Sequence, residues 1–560
     1  MTTNIFSVMN TAKLGLLAQQ LAIETTGQNV ANVQTQGYSR QDVSFEAAPP
    51  RAVGTAILGT GVMVSSIARA HDSFLFSETL GEETSSGNSA VRKGIFDQLD
   101  ALFSESSDGS LSQSLQNFFG SLQDLSLNPS GLPERATLIS RAESLASAFK
   151  KMGDRLFQSQ LNVDQTVITK VSEINQLTAN IAQLNKTIHG SEANGATAND
   201  LRDQRDKLVR ELAGKVDITV VSETNGQVNL TLQNGKALVL GNTAFSLSTS
   251  LNGNNLGFRD IRLDDGSGNT SNITSVIKDG ELRGYLDMRD TELAGLRDQI
   301  DRLAAGLARE VNRVHQSGMG LDGITGRNFF AALSATARAN TQNTGSGNVS
   351  MTNASAATAS LDKYEMTFAS ASSFTLKNLT TGLASGTFTF TAGSAFNLAG
   401  GLAVTITGSA AAGDKFTFSL SENAATTLSV ASAIKADSNK IAAGKSTPND
   451  GQNALDLAAL QRTLIFDGTT LTQAGSGTFT FEEFYSSVVG NVGIKASESR
   501  NSVDQQQAIL TQLDNRRESV AGVSIDEEMI NIVKFQQAFN ASARVLNVVN
   551  ALFDTLQNRI

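Results

Sequence analysis

The 560-residue chain contains no cysteine and no tryptophan. Without thiols there is no disulfide framework, no thiol to mispair and no Cys-containing zinc set, a composition that suits export without demonstrating it. Positive charge is in short supply: 44 Lys and Arg against 54 Asp and Glu give a net charge of −10. A phosphate-binding surface such as nucleic acid needs is therefore not expected as its main purpose. No run of about 18 apolar residues is present, so no spanning helix and no membrane insertion are expected. The opening "MTTNIFSVMNTAKLGLLAQQ" alternates apolar with polar residues and lacks the cationic start and continuous apolar run of a secretory signal. On these grounds alone the chain reads as cytosolic, unless it leaves the cell by a route that spares the general signal peptide. Only three histidines occur, His71, His189 and His315, each isolated, and no His-Glu-x-x-His is present. No metal or other cofactor is implied. "DDGSGNTSN" from Asp264 lacks the acidic spacing and closing Glu of an EF-hand and reads as a solvated turn. Acidic pairs such as Glu82–Glu83 and Glu482–Glu483 read as surface, so no catalytic residues are assigned and no enzyme is expected.

What is present is periodicity, strongest at the two ends. From Ile5 a four–three spacing picks out Ile5, Met9, Ala12, Leu16, Gln19, Ile23, Thr26, Val30 and Val33, and Leu14, Leu17 and Leu21 widen the apolar face. Only Lys13 and Glu24 are charged before Arg40, so the polar face of this helix is neutral. It stops at "NVANVQTQGYSRQ", where Asn32, Gln36 and Gly37 are turn residues and Gly37 can supply a positive φ. A strand-like "DVSFEA" follows. At the other end, Ser524 and Glu527 suggest a capping box, with Asp526 to Glu528 at the positive end of the helix dipole. Behind it Ile532, Phe535, Phe539, Ser542, Leu546, Val549, Phe553, Leu556 and Ile560 form a seam broken only by Ser542.

Between the ends the texture changes. A helical region runs from about Ser89 to Ile188 with a break at "NPSGLP", and "ATANDLRDQRDKLVRELAG" starts another helix with Asn199 or Asp200 as its cap. "VDITVV", "QVNLTL" and "KALVLG" read as strands joined at Asn225–Gly226 and Asn234–Gly235. "ELRGYLDMRDTELAGLRDQIDRLAAGLAREVNRVH" reads as one long helical stretch. From Ala339 to Ile434 the chain is Ala/Ser/Thr/Gly-rich, and "GTFTFTAG", "LAVTITG" and "DKFTFSLS" alternate with period two. Helix returns from about Phe484 to Arg517.

The expected fold is mainly α with β insertions. The N- and C-terminal helices pair as a coiled coil (residues 1–45 with 505–560), a helical-bundle domain carries β-hairpins (46–338 with 440–504), and an all-β domain is inserted (339–439). A single amphipathic helix with an uncovered seam is marginal in water, so each end needs a partner. In an assembly of identical subunits a charge on a packing face would meet its own copies, and a neutral amide and hydroxyl face avoids that cost.

These residues resemble a known family. The opening segment through Arg40 is similar to the N-terminal segment of flagellar rod, hook and hook-associated axial proteins, with Asn29, Asn32, Thr35, Gly37 and Tyr38 matching their shared motif. Gln36 departs from it, standing where the family usually has proline, which loosens the turn without removing it. Ser39–Arg40–Gln41 and the closing "FQQAFNASARV" point to hook-associated members, and "NDLRDQRDKLVREL" and "GLAVTITGSAAAGDKFTF" also resemble internal segments. The resemblance implies a secreted structural subunit of the bacterial flagellum at the hook–filament junction, exported by the type III apparatus and needed for filament assembly and motility. It implies self-association in a ring or helical layer, contact with the hook protein and with neighbouring junction and filament proteins, and an export chaperone on the C-terminal helix. The implied assembly interface comprises Ile5, Met9, Leu16, Ile23, Val30, Asn32, Gly37, Tyr38, Ile532, Phe535, Phe539, Leu546, Val549, Phe553 and Leu556. It also implies termini that order only on assembly. Other readings are another axial subunit (hook, rod or filament) and a surface adhesin acting through the β insertion. Against the adhesin, Tyr364 is the only Tyr or Trp of that insertion.

Overall fold

The computed structural model describes residues 2–53, 56–103, 110–193, 195–334, 336–353, 360–398, 402–468, 470–471 and 475–557. Helix α1 (Thr2–Ala31) ends in a turn where the Thr35 amide donates to Asn32 O at 2.8 Å and Gly37 takes φ 89°. Only glycine adopts that left-handed geometry without steric cost. The chain then reverses along α1 as a ribbon. Strand β1 (Gln41–Ala47) pairs antiparallel with β4 (Val62–Arg69), and β2 (Arg51–Val53) with β3 (Ala56–Leu58) forms its tip. Thr11 Oγ1 donates to Thr60 O at 3.1 Å, and Gly61 lies so close that a Cβ there would meet the Thr11 main chain at 3.3 Å.

The body follows: α2 (Ser73–Phe103), α3 (Leu111–Leu127), α4 (Leu132–Glu192), α5 (Asn199–Lys215), α6 (Gly280–Asp287), α7 (Leu293–Ser317), α8 (Ala424–Thr427), α9 (Ser432–Ala436), α10 (Gln452–Ala459) and α11 (Phe481–Ala521). The C-terminal helix α12 (Ile525–Gln557) returns to α1. Between α5 and α6 lie short antiparallel strands whose turns use Gly226 at φ 82° and Gly235 at φ 81°, as the Asn-Gly pairs predict. Between α7 and α8 a five-stranded sheet faces a three-stranded one. Phe368, Phe374, Phe416 and Phe418 are buried from it, the inward residues of the alternating pattern. Thus the mainly helical architecture with antiparallel β insertions is as the sequence predicts.

Two apolar cores fill the body. The larger joins the C-terminal half of α2, α3, the first half of α4, α7, α10, the start of α11 and the β sandwich; the smaller joins the second half of α4, α5, α6 and the short hairpins. The 61-residue α4 runs through both. At their boundary Arg289, with no exposed surface, donates to Asp164 at 2.6 Å and to both oxygens of Asp290 at 2.7 Å. Neither core includes a residue of α1, the ribbon or α12.

Several details differ from expectation. The helical region before "NPSGLP" begins at Ser73, earlier than Ser89, because Asp72 Oδ1 accepts from the Phe74 and Leu75 amides. The long helical stretch expected at 281–315 is present, as α6 and α7 joined by a π turn, Met288–Glu292, that the pattern did not announce. That turn frees the Arg289 carbonyl for Gln160 Nε2 at 2.8 Å. Asn199 and Asp200 do not cap α5; their side chains reach Ile67 O and Gln41 instead. Glu527, expected to close a capping box with Ser524, turns its carboxylate to Arg40 at 3.3 Å, while a capping box does form at Thr480 and Glu483 of α11. Residues 45/46 and 504/505, taken as domain limits, fall inside β1 and α11. At Asp264 the carboxylates accept their own turn's amides, Gly266 at 2.8 Å and Ser267 at 2.9 Å.

Candidate assembly interface

Three contacts set the course of α12 on α1. The Phe6 and Phe553 rings meet edge-on at 5.8 Å, Gly15 faces Ser542, and Asn29 reaches Glu528 at 3.2 Å. Numbers rise on one helix as they fall on the other, so the pair is antiparallel.

The face that α1 buries is made of small residues: Ala12, Gly15, Ala18, Ala22, Thr25, Thr26 and Asn29. Short side chains let two helix axes approach, and at Gly15 an added Cβ would lie 3.0 Å from Ser542 Oγ. Ser542, which looked like a break in the seam, is where the helices come together. The large residues expected on the seam of α1, namely Ile5, Met9, Leu16, Ile23 and Val30, flank this strip and are half-buried, and Leu17 is exposed. On α12, Ile532, Phe535, Phe539 and Leu546 are half-buried and Val549 is buried, whereas Phe553 is 40% exposed beside Phe6. Phe535 also receives Phe45 of the ribbon at 6.1 Å. Leu556 lies in α12 but its side chain is outside the described residues, as is Ile560.

The elbow is held by one amide. Asn29, 1% exposed, uses its whole hydrogen-bonding capacity. Its Nδ2 donates to Gln41 O at 2.9 Å and to Glu528, and its Oδ1 accepts from the Gln41 amide and the Tyr38 hydroxyl, both at 2.9 Å. One side chain thus ties α1, the turn, β1 and α12 together. Burial, then the charges of Asp200 and Asp203, push the Tyr38 hydroxyl up to about 12, so it stays a donor. Burial likewise raises the Glu528 carboxyl above its ordinary value. Asn32 and Gly37 complete the turn, Asn32 Oδ1 accepting from Thr35 Oγ1 at 3.1 Å.

The elbow joins the body through charge. Asp200, Asp203 and Asp206 stand at three-residue spacing on α5. Asp203 accepts from the Ser39 amide at 2.8 Å and hydroxyl at 2.9 Å; Asp200 accepts from Gln41 at 2.7 Å and Gln28 at 2.9 Å. Arg69 forks between Asp203 and Asp206, both at 2.6 Å. The Arg40 amide donates to Ala521 O at 2.8 Å, and a crevice of about 440 Å³ lies between the elbow and α11. Sequence reading missed this clasp, although its acids stand in "NDLRDQRDKLVREL".

A further apolar strip on α12 is left uncovered by the described residues: Ile530, Val533, Val545, Val548 and Leu552 are 45–68% exposed. Exposed apolar strips of this extent mark contact surfaces. Among the described residues no group of three His, Cys, Asp or Glu is placed to hold a metal, and no helix is long and apolar enough to cross a membrane.

Comparison with known proteins agrees with this architecture. Residues 96–330 match the helical domain of the flagellar hook-associated protein FlgK, and residues 517–559 match the C-terminal segment of the flagellar basal body rod proteins FlgEFG. The fold is similar to the flagellar hook junction protein FlgK from Burkholderia pseudomallei, with a TM-score of 0.68 at 22% identity, covering 79% of this chain and all of that one. The flagellar hook-associated protein 1 of Bacillus subtilis (strain 168) is 26% identical across 99% of this chain and 98% of its own length. That of Escherichia coli (strain K12) is 32% identical across 99% of both chains. On a match of that identity along nearly the whole chain, the protein belongs to the flagellar hook-associated protein 1 family.

Proposed function

We infer that this chain is an exported structural subunit of the bacterial flagellum that forms the junction between hook and filament. It assembles with copies of itself and with hook and filament proteins. One observation carries the mechanism: α1 and α12 bury one small-residue face against each other and leave an apolar strip of α12 in water. Further copies cover such a strip, and the neutral outer face of α1 lets them approach without stacking like charges. Ile5, Met9, Leu16, Ile23 and Val30 of α1, with Ile532, Phe535, Phe539, Leu546, Val549, Phe553 and Leu556 of α12, form the subunit's arm. Asn32, Gly37 and Tyr38 shape the elbow that aims it. Before assembly the strip on α12 suits an export chaperone, a partner that the family resemblance suggests. The body then divides into the helical region with hairpins and the β region at 339–439. That β region shares the larger core with the helices, which favours an integral part of the subunit over an appended adhesin.

Deletion of Phe535 to Ile560 tests this reading. The body should remain soluble and folded, and cells should carry hooks without filaments under negative stain. Normal flagella from the truncated chain would refute it.

A further inference from the structure

The chain passes between the arm (α1, ribbon and α12) and the body twice, and both crossings are short. Ala70 to Asp72 lead from β4 into α2, and Gly522 to Ser524 lead from α11 into α12. Neither crossing is helix or strand. They meet at one residue: the Arg40 amide donates to Ala521 O and the Arg40 carbonyl accepts from the Ala70 amide, both at 2.8 Å. Two short linkers held together at one point leave the units they join free to turn about it. What restrains such turning is polar. Ile67 O accepts from Thr197 Oγ1 at 2.7 Å and from Asn199 Nδ2 at 2.9 Å, Ser39 bonds twice to Asp203, and Arg69 forks between Asp203 and Asp206. These partners all fall between residues 197 and 206, at the start of α5 and just before it. Beside them lies open space, the crevice of about 440 Å³ walled by Gly37 of the elbow, Leu75 and Phe76 of α2 and Val520 of α11. No apolar core crosses the joint, since neither core includes a residue of the arm. An interface of a few polar bonds next to a void can shift as a unit, which a close-packed core resists.

We propose that the Arg40 main chain is the pin of a hinge on which the arm turns as one body, and that the Arg69 clasp on α5 is the latch that holds it at the angle described. The Arg69, Asp203 and Asp206 side chains are 10%, 8% and 15% exposed, so dissolved ions screen the pairs little and the latch stays shut across ordinary salt. Asn29, which ties α1, the turn, β1 and α12 together, keeps the arm whole while it turns. The inference concerns the single chain and does not rest on the assembly reading above.

The absence of native cysteine lets spin labels be placed in chosen pairs on the full chain. Gln537→Cys with Lys186→Cys spans the joint, and Gln537→Cys with Lys13→Cys stays within the arm, all three positions being exposed. With the latch intact, both pairs should give one narrow distance. With Arg69→Met added, the distribution across the joint should broaden about twofold or more, while the pair within the arm and the melting of the body stay as they were. A joint distance that stays narrow, or is already broad with the latch intact, overturns the latch. An arm pair that broadens as well shows the arm unfolding and not turning, and overturns the hinge. Amide exchange followed by NMR separates pin from latch. In the Arg69→Met chain the Ser39 amide, which donates to Asp203, should exchange at least tenfold faster, with the Arg40 amide at its native rate. Equal acceleration of both amides would mean that the arm leaves the body at the pin, and no acceleration of either that it does not move; each result overturns the proposal.

Discussion

Replacing Asn29 with alanine should loosen the elbow without touching the body. The substitution removes four hydrogen bonds and leaves the Gln41 amide and carbonyl, the Tyr38 hydroxyl and one Glu528 oxygen without their partner. Leaving a buried polar group unpaired costs about 1–3 kcal/mol. Some of these groups will find water once the turn relaxes, so the net loss is about 2–4 kcal/mol, roughly 30- to 700-fold in the docking equilibrium. Hydrogen exchange on the full-length chain reads this directly. Peptides from α1, β1 and α12 should lose protection, while α4 and α7, in the cores that exclude the arm, keep theirs. Unchanged arm protection would refute the reasoning, as would an equal loss throughout. Asn29→Asp should be worse at neutral pH, since it sets a second carboxylate beside Glu528. The Glu528 carboxyl is raised above its ordinary value by burial, so its contribution to docking is complete below that ordinary value and lost as pH rises through the raised one. Mild acid should therefore restore part of the Asn29→Asp defect.

Gly15→Leu should force α1 from α12, because even a Cβ lies 3.0 Å from Ser542 Oγ; a spin-label pair across the two helices would report a wider distance, while Gly27→Leu, with open space around it, would not. Arg69→Met leaves Asp203 and Asp206 partly unpaired and should cost about 3–5 kcal/mol of arm–body docking, seen as a broadened small-angle scattering envelope with unchanged body melting. Arg289→Met should instead lower body stability by about 1.5–3 kcal/mol in urea titration, as Asp164 at the boundary of the two cores loses its shortest ion pair and keeps only the Arg259 amide and guanidinium. His315 donates to Arg327 O at 2.7 Å and accepts from the Ala442 amide at 2.9 Å. Burial lowers its pKa to about 4 from the usual 6.5, so its stabilisation is present above 6.5 and lost as pH falls through 4. Asp301, raised by burial to about 7, works in the opposite sense, losing its contribution as pH rises through 7. His315→Gln should accordingly flatten the acid limb of the melting temperature against pH and leave the neutral limb in place.

The large features were legible because they are periodic. The seam of α12, the turn at Gly37, the Asn-Gly hairpins and the alternating strands around Phe416 each repeat a local rule that tertiary structure does not override. The true face of α1 was hidden for the opposite reason. Ala12 and Thr26 stood in the expected stripe, but Gly15, Ala18 and Ala22 carry little hydrophobic signal, yet their lack of bulk is what allows close approach, while Leu16 and Ile23 drew attention to the flanks. The caps assigned to Asn199 and Ser524 fail because capping is a local preference, and here distant partners, Ile67 and Arg40, compete for the side chains involved. The π turn at Met288–Glu292 left no trace in the pattern, since one extra residue shifts a helical stripe by only 100° and Gln160 lies far off in sequence. Asn29 stood in the motif, but its four hydrogen bonds need the elbow folded back on α1 to bring Tyr38 and Gln41 to it, and the one to Glu528 needs α12 as well.

The central claim is that the arm's outward strip is wet in the single subunit and dry in the flagellum. A cysteine at Val548 in the full chain, probed with a water-soluble maleimide before and after incorporation at the hook tip, measures this directly. The account predicts rapid labelling of the purified subunit and at least tenfold slower labelling in isolated hook tips. Equal rates in the two states would contradict it.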